Sequence, residues 1–389
     1  MAIDRVAVAV AAAGIASFLN LYTPQAILPS LAAAFGVAPA ETGQAITASL
    51  FAIALVAPFA GAISDLLGRK RLIVAACGLL IVPTLFVASA GSFATLLVWR
   101  FIQGLLLPFV FTVTVAYIGD ECDGPRAIRV AGTYSAGCVT GGFAGRFITG
   151  IAADLGGWRF GFASIAVVTA ALTLLIGVML PRERRFRPIA SSFAAAIGTT
   201  WRGWREHAAN RRLWGTCGVG AAMLFSVVAT FTFINLRLAA PPFSLSPAGT
   251  GAVFAVYLVG AVTTQLGTRL AVRIGRRRVA LIGAAVAIVG EMLTLAPSLP
   301  AVIIGLMVAG AGLFVIQALA LGFIGVAVAR ARSSAVGLYV SVYYIGGALG
   351  AVLPAAAWHR AGWPGCVAVI IVVILGMSAG AAATFRRPA

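Results

Sequence analysis

Gly61-Ala62-Ile63-Ser64-Asp65-Leu66-Leu67-Gly68-Arg69-Lys70-Arg71-Leu72 decides how this chain is organised. The segment joins two apolar stretches, about residues 42–64 and 72–90. A helix rises ~1.5 Å per residue and a bilayer's hydrocarbon core is ~30 Å thick, so each stretch is long enough to cross it. A membrane hairpin with so short a turn puts Arg69, Lys70 and Arg71 on one side of the bilayer.

The rest of the chain reads the same way. Its 389 residues are 61% apolar and 10% charged, with a mean hydropathy of +1.04. A soluble domain needs more polar surface, and lipid is the solvent that fits. Backbone groups find no water in lipid, so spanning segments are helices or closed barrels. Barrel strands would alternate apolar and polar residues; these stretches are continuously apolar. Twelve spans are expected, near 6–32, 42–64, 72–90, 94–119, 130–154, 159–180, 213–240, 247–272, 279–297, 300–328, 334–358 and 363–385. Asp4-Arg5 before an apolar run imitates a signal peptide, but eleven further spans favour a retained first helix.

The net charge of +18 raises the question of nucleic acid, and its distribution argues against that partner. With the N-terminus inside, Arg5, Arg69–Arg71, Arg126, Arg129, eight arginines in 182–212, Arg273, Arg276–Arg278, Arg330, Arg332, Arg386 and Arg387 all fall on the inner side. The outer side holds Arg159, Arg237 and Arg360. This asymmetry sets both termini in the cytoplasm and attracts anionic inner-leaflet lipid. The five cysteines (Cys77, Cys122, Cys138, Cys217, Cys366) show no metal spacing and read as small core residues.

Residues 182–212 interrupt the apolar pattern. They divide the chain into an N-terminal bundle (1–181), a cytoplasmic linker (182–212) and a C-terminal bundle (213–389), six spans on each side. Within the linker, Trp201 and Trp204 mark a helix lying at the interface. The halves repeat each other: Ala131–Trp158 matches Val336–Trp363 without a gap at a shift of 205, pairing Gly132 with Gly337, Tyr134 with Tyr339, Gly141-Gly142 with Gly346-Gly347 and Trp158 with Trp363. Gly68-Arg69-Lys70-Arg71 returns as Gly275-Arg276-Arg277-Arg278. The expected fold is all-α, with twelve transmembrane helices in two pseudo-symmetric six-helix bundles, as in alternating-access carriers.

Three motifs carry a family resemblance. The opening segment resembles the loop between helices 2 and 3 of the major facilitator superfamily, G-x-x-x-D-x-x-G-R-K/R. Arg100-Phe-Ile-Gln103-Gly104 looks like that superfamily's R-x-x-Q-G on helix 4. Gly141-Gly142-x-x-Gly145-Arg146, followed by Gly150 and Ala153-Asp154, resembles the glycine-rich helix 5 of its drug-efflux antiporters, but with Gly145-Arg146 where they usually carry G-P, and looks closer to the sugar- and drug-efflux subgroup with G-G-x-x-G-R-x-x-x-G-x-x-A-D. The resemblance covers the chain and implies a proton-linked carrier with a cytoplasmic latch. Asp65, Gly68 and Arg69 would form that latch, with Arg126 or Arg129 as partner. The second copy has Ala271-Val272 in place of the acid.

Arg100 and Arg146 fall at similar depth on antiparallel spans, and charges so placed face protein or water. Two readings stay open. In one, Asp154, or else Glu41, pairs with an arginine and exchanges the coupling proton. In the other, both arginines bind an anionic substrate directly. The first span lacks an acid and offers Asn20, Tyr22 and Gln25. Glu291 lies inside span 9, and Asp120, Glu121 and Asp123 cluster at the inner face as solvated or inter-loop groups. Cargo-facing candidates are Asn20, Gln25, Arg100, Gln103, Arg146, Phe231, Asn235, Gln265, Gln317 and Tyr343, a mostly apolar lining that suits a small amphipathic molecule.

Enzyme chemistry has little to stand on: there is no H-E-x-x-H, no G-x-S-x-G, and Lys70 lies in no phosphate loop. The expected function is export of a drug, sugar or metabolite. The alternatives are a carrier of a small organic anion and, from a different class, a membrane-embedded enzyme. A monomer of a bacterial inner membrane is expected, with no metal or cofactor and a proton gradient as its energy source.

Overall fold

Residues 4–183, 193–328 and 332–385 are described by a computed structural model, in which every regular element among these residues is helical. In chain order they are α1 (Arg5–Tyr22), α2 (Leu28–Phe35), α3 (Gln44–Leu67), α4 (Arg69–Leu79), α5 (Ile81–Ala88), α6 (Phe93–Glu121), α7 (Gly124–Met179), α8 (Phe193–His207), α9 (Arg211–Ala239), α10 (Pro247–Val253), α11 (Leu258–Ile274), α12 (Arg276–Leu293), α13 (Leu299–Ala327), α14 (Arg332–Gly350) and α15 (Ala355–Thr384). Short 3-10 turns at Thr23–Ile27, Pro39–Gly43 and Phe254–Tyr257 connect pieces of the same spans. Caps begin several helices: Asp4 accepts from the Val6 and Ala7 amides, Ser92 from Thr95 and Asn210 from Leu213, satisfying first-turn donors that lipid would leave bare.

Nine described helical runs are apolar and long enough to cross a membrane. One of them, α7, is 56 residues long and loses helical geometry at Gly156 and Gly157, so it makes two crossings. α12 falls outside the nine, carrying Arg276–Arg278 and Glu291, and the apolar part of α14 is only Ser334–Gly350. Together these make the twelve transmembrane helices that the sequence leads one to expect.

The chain divides into two compact units. The first contains Met1–Ser30, Ala48–Arg202 and Ser246–Ala252; the second contains Leu31–Thr47, Gly203–Leu245 and Val253–Ala389. The grouping differs from a single cut at the linker, because residues 31–47 pack with the second unit and 246–252 with the first. In the linker region, α8 spans Phe193–His207, with Trp201 exposed; Arg184, Arg185 and Arg187 lie outside the described residues.

Each unit is built on close backbone approach. In the first, a Cβ on Gly137, Gly141 or Gly145 of α7 would run into the backbone of Ala11, Ile15 or Leu19 of α1. In the second, Gly346 and Gly350 of α14 meet the backbone of Ala221 and Phe225 of α9 in the same manner. Small residues let helices approach where lipid gives no hydrophobic drive to pack. All five cysteines are free, and four of them are buried.

Candidate functional site

In the first unit the two intramembrane arginines hold one segment, the end of α1 and the turn after it. Arg100 is fully buried. It donates to the Asn20 carbonyl at 2.9 Å, the Leu21 carbonyl at 2.6 Å and Gln103 Oε1 at 2.6 Å. Those carbonyls belong to the last turn of α1, where the helix leaves acceptors unpaired and its dipole favours a cation. Gln103 passes the network on, donating to Thr84 Oγ1 at 2.6 Å; Thr84 donates to Asn20 Oδ1 at 3.0 Å, and Asn20 Nδ2 donates to Thr169 at 2.8 Å. Asn20, Gln103 and Arg100 thus brace the interior of this unit: their side chains are at most 1% exposed and engaged with protein.

Arg146 is also fully buried. Its Nε donates to Gln25 Oε1 at 2.7 Å, Nη2 donates to the same oxygen, and Nη1 donates to the Gly142 carbonyl at 2.5 Å. The guanidinium lies 4.3 Å from the Tyr22 ring centroid, a cation–π contact. Neither expected acid reaches an arginine. Asp154 is exposed and accepts from Ser246 Oγ at 2.8 Å and the Ala248 amide at 3.1 Å. It stands eight residues from Arg146, ~12 Å along a helix. Glu41 is exposed in the Pro39–Gly43 turn and belongs to the other unit.

At the turn between α3 and α4, Arg69 is pinned by two carboxylates. Its Nη2 lies 2.6 Å from Asp65 Oδ1 and its Nε 3.0 Å from Asp120 Oδ2, while Nη1 donates to Ser64 Oγ. Gly68 takes φ +86°, a left-handed conformation that favours glycine, with the Glu183 carboxylate beside it. Asp65, Gly68 and Arg69 therefore come together as the sequence leads one to expect, but Arg126 does not join them. It bonds Asp4 at 3.2 and 3.3 Å, and its guanidinium holds the Asp4 carboxyl below the usual carboxylate range. Asp120 takes the partner's place because it ends the long α6, across from the start of α4. Its membership of an acidic cluster hid this in the sequence.

In the second unit Asn235 and Phe231 are buried on α9, and Asn235 donates back to the Phe231 carbonyl at 2.7 Å. Phe231 sits 4.3 Å from Tyr257 and 5.6 Å from Phe254, and Tyr257 lies edge-on to Phe314 at 5.5 Å. Gln317 donates to the Tyr343 hydroxyl at 2.7 Å, and both are half-buried. Gln265 is exposed on α11. Phe254 and Tyr257, on one span, and Phe314, on another, join Phe231 in this ring group without having been singled out in the sequence; one or two aromatics per span among many leave no periodic signal.

Arg159 and Arg237, expected on the outer side, are helix braces. Arg237 donates to the carbonyls of Thr294, Leu295 and Ala296 past the end of α12, and Arg159 donates to the Ala90 carbonyl past α5 at 3.1 Å. Among the described residues no cluster of His, Cys, Asp and Glu is arranged to hold a metal.

The sequence profile of the Major Facilitator Superfamily matches residues 10–240 and 230–389. The inner membrane transport protein YnfM of Escherichia coli K12 is 32% identical over 371 residues, covering 95% of this chain and 88% of the relative. An uncharacterized MFS-type transporter of Bacillus subtilis 168, YybF, is 27% identical over 94% of this chain and 89% of its own. Among solved structures, the human organic anion transporter MFSD10 superposes with a TM-score of 0.70 at 19% identity, over 97% of this chain and 99% of that one. The nucleoside transporter NupG superposes with a TM-score of 0.74 at 14% identity, over 97% and 100%. At such identities these structures share the fold.

Proposed function

Since the chain belongs to the major facilitator superfamily, and is a multi-pass membrane transporter and not an enzyme, we propose that it exports a small amphipathic molecule by alternating access, driven by protons. The observation that carries the cargo class is the contrast in polar groups. Arg100 and Arg146 donate to protein oxygens, while the second unit holds a half-buried neutral pair, Gln317–Tyr343, and a group of rings, Phe231, Phe254, Tyr257 and Phe314. Apolar rings with a few hydrogen-bonding tips suit a molecule of mixed polarity. Export is supported by the resemblance of the glycine-rich helix 5 to the efflux branch, a bacterial inner membrane by the similarity to YnfM, and cytoplasmic termini by the placement of the arginines. The protein works as a monomer in this reading.

The coupling group is Asp154, an exposed carboxylate whose partners, Ser246 Oγ and the Ala248 amide, are neutral. A proton moving through ~100 mV supplies ~2.3 kcal/mol, enough for a concentration gradient of roughly tens-fold. The test is transport in proteoliposomes under an imposed proton gradient. Asp154→Asn should abolish uphill export while cargo exchange at equal pH persists. Uphill export that survives in Asp154→Asn, with or without Glu41→Gln, removes these acids as coupling groups.

A second reading, a carrier of a small organic anion, has one observation in its favour. Arg146 is a fully buried cation beside the Tyr22 ring, and a guanidinium matches a carboxylate or phosphate in bidentate geometry. Arg146→Gln separates the readings: selective loss of anionic cargo, with neutral cargo still moved, supports the anion carrier.

A further inference from the structure

The turn Gly275-Arg276-Arg277-Arg278 repeats Gly68-Arg69-Lys70-Arg71 in backbone as well as in sequence, the two glycines taking φ +92° and +86°. A cavity opens beside each turn, about 730 Å³ at the first and about 780 Å³ at the second. Their contents differ. The first is lined by Lys70, Arg71, Arg182 and also Glu183, whose carboxylate accepts from the Lys70 amide at 3.4 Å. Arg69 alongside is taken by Asp65 and Asp120.

The second cavity is lined by Arg273, Arg276, Arg277 and Arg278, with Phe323 and Phe385 as an apolar wall. Among the described residues none of these four arginines makes an ion pair. Where Asp65 precedes Gly68 by three residues, Val272 precedes Gly275. From residue 207 to the end the sequence contains one acid, Glu291, buried sixteen residues up α12, ~24 Å from the turn. Arg276 lies 5.7 Å from the Phe323 ring, which packs on Phe385 at 4.9 Å.

We infer that this cavity binds the phosphate headgroup of an anionic glycerophospholipid. The phosphate takes the place that Asp65, Asp120 and Glu183 fill in the first repeat, accepting charge-assisted bonds from guanidinium groups that suit its geometry. A lipid is favoured over free phosphate by the apolar wall. It is favoured too by the exposed stripe Leu258, Val262, Leu266 and Leu270 on α11, which leads to the cavity at Ala271 and offers a bed for acyl chains. The positive-inside orientation puts the site against the anionic leaflet. The site is independent of the cargo and of proton coupling.

The test takes the full-length protein, delipidated in a non-ionic detergent, and titrates phosphatidylglycerol against a phosphatidylcholine background. Bound lipid is counted by native mass spectrometry. One phosphatidylglycerol should be retained above the phosphatidylcholine level. Arg276→Gln with Arg277→Gln should weaken its retention by about tenfold or more, given roughly fivefold per cation at an anionic surface. Arg202→Gln with Arg205→Gln, which removes the same charge from exposed positions of α8, should leave retention unchanged. Val272→Asp supplies a carboxylate four residues before Arg276, as Asp65 stands before Arg69, and should weaken retention with every arginine in place. Thermal unfolding of each variant separates lost binding from lost folding. Equal loss in the α8 variant, full retention in Val272→Asp, or inorganic phosphate alone displacing the lipid with the same arginine dependence would each overturn the inference.

Discussion

Matched places in the two repeats are filled in opposite ways. Sixteen residues after the turn glycines stand Thr84 and Glu291; eight and eleven residues after the caps Ser92 and Ser298 stand Arg100 and Gln103 in one unit, and Leu306 and Ala309 in the other. In the first unit a guanidinium, two amides and two hydroxyls close a network around the end of α1. In the second, the acid has one side-chain bond, from Thr230 to Oε1 at 2.5 Å, and Oε2 has no hydrogen-bond partner. Leu306 and Ala309 are buried and apolar. The glycine contacts between helices survive in both copies while the polar interior does not. Backbone proximity is what the duplicated architecture requires; buried charge is where the copies specialise.

The largest effect tests what the copies share. Gly141→Leu and Gly346→Leu should each abolish folded yield, measured by size-exclusion profile in detergent, because both side chains would meet helix backbone. A copy that tolerates its substitution would break the equivalence.

Arg100→Leu comes next. It strands the Asn20 and Leu21 carbonyls and Gln103 in a buried site, and should cost about 3 kcal/mol in reversible unfolding. Arg69→Lys should cost about 1 kcal/mol, because an ammonium cannot span Asp65 and Asp120 as the planar fork does. Glu291→Leu should fall within about 1 kcal/mol of neutral and can be stabilising: Thr230 keeps its bond to the Ser226 carbonyl at 2.8 Å, and a poorly satisfied carboxyl is removed. An Arg100→Leu cost no larger than that of Glu291→Leu would erase the distinction between the units.

The smallest effect is Asp4→Asn, which cuts an exposed pair with Arg126 worth at most ~0.5 kcal/mol. Because the folded carboxyl lies below its ordinary value of 3.8, the contribution is present above that value and fades as pH falls through the lowered one. Unfolding midpoints of the variant and parent should converge in acid and differ slightly at neutral pH.

The candidate sites were legible only in part. Asp65, Gly68 and Arg69 sit within five residues, so local spacing brought them together. Asp120 and Glu183 complete that cluster from α6 and from the segment after α7, and nothing in their own neighbourhoods announces it. Arg100 and Arg146 stood out as intramembrane charges, yet the carbonyls, amides and ring that they meet leave no charge pattern to match. Arg159 and Arg237 stood out only as outer-side charges at the ends of spans, because a neighbouring helix end that needs a donor cannot be seen in a linear chain.

The amino-acid sequence alone determined an all-helical membrane protein, its twelve crossings, the repeat and the basic face, because burial in lipid and charge asymmetry are written residue by residue along the chain. Only the tertiary structure decided which polar groups meet: Arg100 with the end of α1, Arg69 with Asp120, Asp154 with Ser246 instead of an arginine. Those pairings depend on helix rotation and depth to within a few ångströms, and close glycine packing fixes both quantities between segments more than a hundred residues apart in the chain, as Gly141 does against Ile15.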